Sequence, residues 1–310
     1  MAHTDVFADL IEAQSPAYPE AANFLRFMSS HWDAKRLAAM SLRAEKYGPL
    51  FWHTFDSAVR DILALYCKYV DMETAGPDMP TIFQDCMRRF TALPHDDHFE
   101  DFDEVCAQFY NQPIYPILEH SFYLGLHAVD RLGRVLELLA HLPDHGVAAQ
   151  EGRVLCDVAV GPAVIYTSVL EHLGHWRGTA YDISQHCVDY ARDVLALHHI
   201  TPDRAEVKLA DARKLPAAND SFDLVLATEI IEHVPHPSEL LAEIRRVLKP
   251  GGTLIASVPI NLPWGPHLVV FSNETEIKSL FAAASFDCRE FLIDGLPQEH
   301  ALTYGLFTMS

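Results

Sequence analysis

The chain has 310 residues, 49% of them hydrophobic and 21% charged, a globular composition that excludes fibrous and wholly disordered classes. Its 23 basic residues stand against 43 acidic ones, for a formal net charge of −20. That balance argues against a polyanionic partner, so neither nucleic acid nor an anionic membrane surface is expected.

The first ten residues include Asp5 and Asp9 and lack a basic stretch followed by an apolar one, so no secretion signal is expected, and no apolar run reaches bilayer length. Six cysteines (Cys67, Cys86, Cys106, Cys156, Cys187, Cys288) show no CxxC pair or regular spacing. They read as reduced core residues of a cytoplasmic protein. Residues 1–145 read as an all-α cap, with helices expected at 20–29, 33–46, 51–70, 80–91, 103–110 and 113–142. In 51–70, Phe55, Val59, Ile62, Leu63 and Tyr66 recur at helical spacing and give one face to bury. The linkers at 47–49, 74–78 and 94–101 carry Gly, Pro or acidic residues.

Two stretches of the cap carry chemistry-capable residues. Tyr110-Asn111-Gln112-Pro113-Ile114-Tyr115-Pro116 sets two phenols and two amides around two prolines. It reads either as a segment closing over a ligand or as a proline-stiffened helix entry with tyrosines packed at its edge. His95, Asp96, Asp97 and His98 are metal-capable types, but as neighbours in a polar loop they read as a solvated linker. His120 and His127 are seven apart and could share a helix face. The natural junction is 143–152, which puts the domain boundary near 145, and any homo-oligomer is expected to form through the cap.

From residue 146 the pattern changes to short apolar runs separated by helical ones, as buried parallel strands read. The runs are Val154 to Val158, the segment ending Tyr181-Asp182, the one ending Leu209-Ala210, Phe222 to Ala227, and Thr253 to Val258. Ligands of such sheets sit beyond the carboxyl ends of the strands, where the strand order reverses. A small-residue loop after the first strand lets backbone N–H groups approach a ligand. A carboxylate at the second tip (Asp182, followed by Ile183) can accept both hydroxyls of a ribose. At the third tip, Asp211 can receive the exocyclic amine of adenine, with Ala212 lining the ring, and Thr228-Glu229 ends the fourth strand at the reacting end.

Residues 153–260 resemble the core of class I S-adenosylmethionine-dependent methyltransferases. The resemblance rests on Asp157 to Ala163 for the glycine loop, Asp182, Asp211-Ala212, Glu232-His233-Val234-Pro235, and Arg246 to Gly252 (RVLKPGG). It covers about the second half of the chain and implies a seven-stranded Rossmann-like α/β sheet with an antiparallel last strand. It further implies S-adenosylmethionine held by Asp157, Val158, Ala159, Gly161, Ala163, Asp182, Ile183, Asp211, Ala212 and Thr228. The tail fits, with a helix expected at 274–284 and strands at 288–293 and 302–309. One departure stands out, since the family's first loop resembles DVGCGPG and this chain has Asp157-Val158-Ala159-Val160-Gly161-Pro162-Ala163. Alanine replaces glycine twice, which strains the loop if either position needs positive φ and crowds the cofactor's tail if it needs close approach.

Glu229, Glu232 and His233 resemble the Glu-x-x-Glu-His spacing of methyltransferases that hold a divalent ion, with His267 able to add a ligand. The same spacing occurs in relatives without metal, and no metal is expected here. The expected function is methyl transfer to a small-molecule acceptor in natural-product or metabolite biosynthesis. His233 and Glu229 are the candidate bases and Tyr115 the third catalytic candidate. Tyr110, Asn111, Asn261 and Trp264 are the expected pocket walls. Two alternatives use the same fold: a cyclase in which the cofactor's amine attacks its own γ-carbon, closing an azetidine ring and releasing methylthioadenosine, and a non-catalytic binding module.

Overall fold

In the computed structural model the chain is described over residues 2–31, 34–70, 78–93, 99, 101–126, 128–142, 152–295 and 300–309. In chain order the helices of the first half are α1 (Ala2–Gln14), α2 (Pro19–Ser29), α3 (Ala34–Tyr47), α4 (Pro49–Val70), α5 (Met79–Phe90), α6 (Phe102–Val105), α7 (Tyr115–Leu126) and α8 (Ala128–Leu139). The second half runs β1 (Val154–Asp157), α9 (Val164–His172), β2 (Arg177–Asp182), α10 (Gln185–Leu197), β3 (Ala205–Leu209), β4 (Phe222–Thr228), α11 (Pro237–Val247), β5 (Leu248–Ile260), α12 (Glu274–Ala283), β6 (Phe286–Gly295) and β7 (Ala301–Met309). The chain forms two compact units, one of Met1–Phe90 with Pro116–Gly133 and the other of Thr91–Tyr115 with Arg134–Ser310. The division interleaves the sequence. The cluster at 95–98, His127 and most of the 143–152 junction lie outside the described residues.

The first unit is helical. Phe55, Val59, Ile62 and Tyr66 form the buried face of α4 that their spacing implies, joined by Phe51 and Trp52. Asp56 on the same helix is 3% exposed. Its Oδ1 accepts the backbone N–H groups of Glu20 and Ala21, each at 3.0 Å, so one helix caps the start of another whose first-turn donors lack intrahelical partners. Tyr66 donates its hydroxyl to Asp85 Oδ2 of α5 at 2.6 Å. The helix α1 was not anticipated. The helix expected over 113–142 is described as α7 and α8 on either side of His127, which lies outside the described residues, with Pro116 in the first turn of α7, where a missing N–H costs nothing.

The second unit is built on one seven-stranded sheet of order β3-β2-β1-β4-β5-β7-β6. β1 to β5 run parallel, and β7 is antiparallel to both β5 and β6, the reversed last strand expected from sequence. Leu224, Val225, Leu226 and Ala227 of β4 are fully buried, as are Leu254 and Ile255 of β5, because helices cover both faces of a parallel sheet. On one face Leu240, Leu241, Ile244 and Val247 of α11 and Ile277 and Phe281 of α12 pack over Val225 and Leu254. The register of β4 on β5 jumps from Phe222–Leu248 to Leu224–Thr253. The turn that accommodates it uses Gly251 at φ +76° and Gly252, where a Cβ would lie 2.8 Å from Lys249 O, so this glycine pair has a steric reason. Among the described residues no helix is long and apolar enough to cross a membrane.

The strand order reverses between β1 and β4. Their carboxyl ends, with those of β2, β3 and β5, define the crevice in which the sequence locates a ligand.

Candidate active site

Asp157 ends β1 almost wholly buried, and its Oδ1 accepts the N–H of Ala159 at 3.2 Å. Burial, reinforced by the charge of Asp182, pushes its carboxyl up to about 7. Val158 continues the ladder through its N–H to Leu226 O (3.1 Å), and Val160 bonds across to Tyr181 O (3.0 Å). The two alanine replacements separate here. Ala159 does not have positive φ, whereas Ala163, the residue before α9, sits at φ 61° and ψ 12°, fully buried. The loop thus keeps a backbone shape suited to glycine at the second position despite the Cβ that disfavours it.

Asp182 ends β2, 8% exposed. Its Oδ2 accepts Gly161 N–H at 3.0 Å and its Oδ1 accepts Ser184 N–H at 2.9 Å, so one carboxylate ties the first loop to the second tip. Burial raises it to about 6 against the opposing pull of these hydrogen bonds. Ile183 follows, half-buried. At the β3 tip Ala212 is buried, but Asp211 is engaged by Arg213, which donates Nε at 3.0 and 3.1 Å and Nη2 at 2.7 Å. Burial raises the Asp211 carboxyl, yet the Arg213 hydrogen bonds and charge outweigh it and hold the group below the ordinary carboxylate value. The Arg213 guanidinium in turn lies 4.7 Å over the ring of Phe102.

Beyond β4, Glu229 takes φ 52° and Asn261, beyond β5, takes φ 53°, so both strand ends nearest the reacting end of the crevice carry backbone strain. Glu229 is turned onto β5, where its N–H meets Ser257 Oγ at 3.1 Å and its Oε1 accepts the Ser257 hydroxyl at 2.6 Å. Thr228 is half-buried at the end of the strand. A single 3-10 turn, Ile231–His233, then buries Glu232 (0% exposed) and His233 (8%). His233 Nδ1 lies 3.0 Å from Pro266 O. A carbonyl only accepts, so Nδ1 carries the proton and Nε2 the lone pair. The hydroxyl oxygen of Tyr110, 2.7 Å from the same nitrogen, is its second acceptor.

Tyr110 arrives there by an unusual route. The helix expected over 103–110 is α6, N-capped by Asp101, whose side chain accepts Glu104 N–H at 2.9 Å. It continues as a π-helical turn, Cys106–Tyr110, closed by Asn111 N–H on Cys106 O at 2.9 Å. This one segment touches four strand tips. Phe102 underlies Arg213 at β3; Tyr110 O accepts the Ser184 hydroxyl at 2.7 Å beyond β2; Tyr110 Oη reaches His233 beyond β4; and Phe109 meets Trp264 of the loop after β5 edge-on at 5.4 Å. Tyr115 is 5% exposed behind this layer, its ring 5.3 Å from Phe109 and 5.4 Å from Tyr110. The phenol that meets His233 is Tyr110, while Tyr115 is buried beside the rings of Phe109 and Tyr110. Asn111 is exposed, and Asn261 is tied by its backbone to Phe271 O (2.8 Å) and by its own carbonyl to His300.

Sequence reading missed Arg213, Ser184, Ser257 and Phe109. Ser184 carried a findable signal, an N-cap residue directly before a helix, and its hydroxyl does cap α10 through Cys187 N–H. The others became visible only once the strand tips were brought together.

A sheet of this order with a reversed seventh strand, a tight loop after β1 and an acidic residue at the tip of β2 is the class I S-adenosylmethionine-dependent methyltransferase fold. Residues 156–256, about a third of the chain, match the family described as a methyltransferase domain, and S-adenosylmethionine is the cofactor that this family implies. An uncharacterized methyltransferase of Mycobacterium leprae (strain TN) is 32% identical over 163 residues, 51% of this chain and 54% of that protein. The hybrid PKS-NRPS synthetase poxE of Penicillium oxalicum is 25% identical over 248 residues, 78% of this chain and 5% of that protein. The chain thus spans about half the length of the first relative and a small part of the second. Among solved structures, the geranyl diphosphate C-methyltransferase from Streptomyces coelicolor A3(2) shares the fold, with a TM-score of 0.50 and 13% identity over 62% of this chain and 81% of that one.

Proposed function

We propose that the chain is an S-adenosylmethionine-dependent methyltransferase of a small, partly apolar natural-product or metabolite acceptor. The observation that carries this reading is the aromatic layer over the reacting end of the crevice, in which Tyr110, Phe109 and Trp264 surround a histidine whose Nε2 lone pair is fixed by its Nδ1 contacts. The similarity to the polyketide–peptide synthetase supports an acceptor of that chemical kind, because an alignment of 248 residues must reach into the helical half.

The donor set fits the cofactor. Asp157 and Asp182 are buried carboxylates held at their tips by backbone N–H groups, and anionic oxygens of this kind suit a cationic ligand with vicinal hydroxyls. Asp182 would hold the ribose, Asp211 and Ala212 the adenine end, and the loop from Val158 to Ala163 the amino-acid tail. When bound, S-adenosylmethionine supplies a methyl on a sulfonium that is displaced in line: the acceptor–carbon bond forms and the carbon–sulfur pair returns to sulfur. The chain's own work is to align the acceptor behind that methyl, exclude water with the aromatic layer, and hold the His233 imidazole at the acceptor side through Tyr110. Glu229 is bonded to Ser257, so we assign it to bracing β4 on β5 and assign the acceptor-side role to His233.

Incubation with S-adenosylmethionine alone, and then with candidate polyketide or aromatic acceptors, tests the reading through the nucleoside product. S-adenosylhomocysteine appearing only when an acceptor is added is the expected result. Methylthioadenosine formed without an acceptor would replace the reading with the azetidine-forming cyclase. Absence of calorimetric binding would replace it with the non-catalytic module.

A further inference from the structure

We propose that Glu232, His233 and His267 form a binding site for one divalent first-row transition-metal ion. Each residue offers one ligand atom, and the three atoms lie within 4.8 Å of one another. His233 Nε2 and Glu232 Oε1 are already 3.6 Å apart, and the two imidazole rings meet with centroids 4.7 Å apart and planes at 80°. Ligands about 2.1 Å from a common ion stand roughly 3–3.5 Å from each other. The cluster therefore needs a closure of about 1 Å, which His267 can supply from its loop.

The second shell argues for the ion. His233 Nδ1 faces Pro266 O at 3.0 Å and His267 Nδ1 faces Leu262 O at 2.8 Å. Both histidines thus donate one nitrogen to a backbone carbonyl, the arrangement that fixes the tautomer and turns Nε2, with its lone pair, toward a metal. The two imidazoles and the carboxylate of Glu232, which has no exposed surface, offer one ligand atom each within reach of one ion. Two imidazoles and one carboxylate suit Mn²⁺ through Zn²⁺, whereas Mg²⁺ and Ca²⁺ favour all-oxygen sets. Glu229 is outside the cluster, so the ligand set differs from the four residues singled out in the sequence. A three-residue site leaves positions open to a further ligand. On the methyl-transfer reading, an acceptor oxygen bound there would lose its proton at lower pH; the site itself does not depend on that reading.

The test titrates Co²⁺ into chelator-treated protein and follows its visible d–d absorption together with calorimetric heat. One equivalent should bind with an absorption spectrum of low coordination number. His267→Ala and Glu232→Gln should weaken binding by about 100-fold or more, while both variants still bind S-adenosylhomocysteine and so remain folded. Less than a fifth of an equivalent bound, or affinity unchanged in His267→Ala, would overturn the proposal, leaving a proton as the charge shared by His233 and Glu232. Because Co²⁺ binding is read without turnover, failure of the metal site and failure of methyl transfer give different results.

Discussion

Replacing Asp182 with asparagine separates the two jobs assigned to this carboxylate. A carboxyl that titrates at about 6 instead of 3.8 is buried at a cost to its ionised form of about 3 kcal/mol, which the neutral amide removes. Against that, asparagine offers one acceptor oxygen where the carboxylate offers two. Either Gly161 N–H or Ser184 N–H then faces an amide nitrogen, at about 1–3 kcal/mol. The opposing effects leave stability within about 2 kcal/mol of the parent near pH 7.5. Cofactor binding has no such offset: losing charge-assisted hydrogen bonds to ribose hydroxyls should cost about 1–3 kcal/mol, or roughly 5- to 150-fold in Kd. Urea denaturation and titration calorimetry with S-adenosylhomocysteine measure the two quantities on one preparation. Intact stability with affinity unchanged within about twofold would refute the role of Asp182 as the ribose acid.

Two further outcomes follow from groups elsewhere in the same unit. Asp157 and Asp182 are both raised, to about 7 and about 6, so their contribution to the stability of the unliganded protein is fully present below about pH 4 and lost as the pH rises through 6 and 7. A cationic ligand favours the ionised carboxylates, so affinity for S-adenosylmethionine should tighten across that window with proton release, measurable by calorimetry in buffers of different ionisation heat; flat or falling affinity would refute the assignment. At Gly305 of β7, a Cβ would lie 2.2 Å from the ring of Phe307, which stacks on Phe281 at 3.9 Å with planes 2° apart. Gly305→Ala should therefore destabilise by about 1–3 kcal/mol through displacement of that stack, and a loss under about 0.5 kcal/mol in denaturation would show that the ring moves freely.

The sheet was legible because each of its strands is a short buried run bounded by turn residues, a signal that does not depend on distant partners. The carboxylates at the tips were legible for a related reason, since Asp157, Asp182 and Asp211 occupy positions set by the ends of those runs. What the sequence could not show is which side chains the tips face. Tyr110 and Tyr115 sit in one proline-bounded stretch and look equivalent, and only the phase of the preceding turn decides which hydroxyl reaches His233. Glu229 and Glu232 are likewise three apart in one motif, yet a positive φ at Glu229 sends the first to Ser257 while the second is buried beside His233. The exact ends of the helices were hidden because helical periodicity marks a face, not an end.

The π-helical turn at Cys106–Tyr110 sets the angular position of everything that follows it. Each residue of an α-helix advances about 100°, and a π turn accommodates one more residue than the α turn it replaces. Deleting a single residue from this turn would bring the backbone back into α phase and swing the next side chains by roughly a quarter turn. The Tyr110 hydroxyl would leave His233 and its carbonyl would leave Ser184 together. The contacts at the tips of β2 and β4 are thus keyed to a one-residue count in a segment outside the sheet, so an insertion or deletion there would exchange them without disturbing a strand.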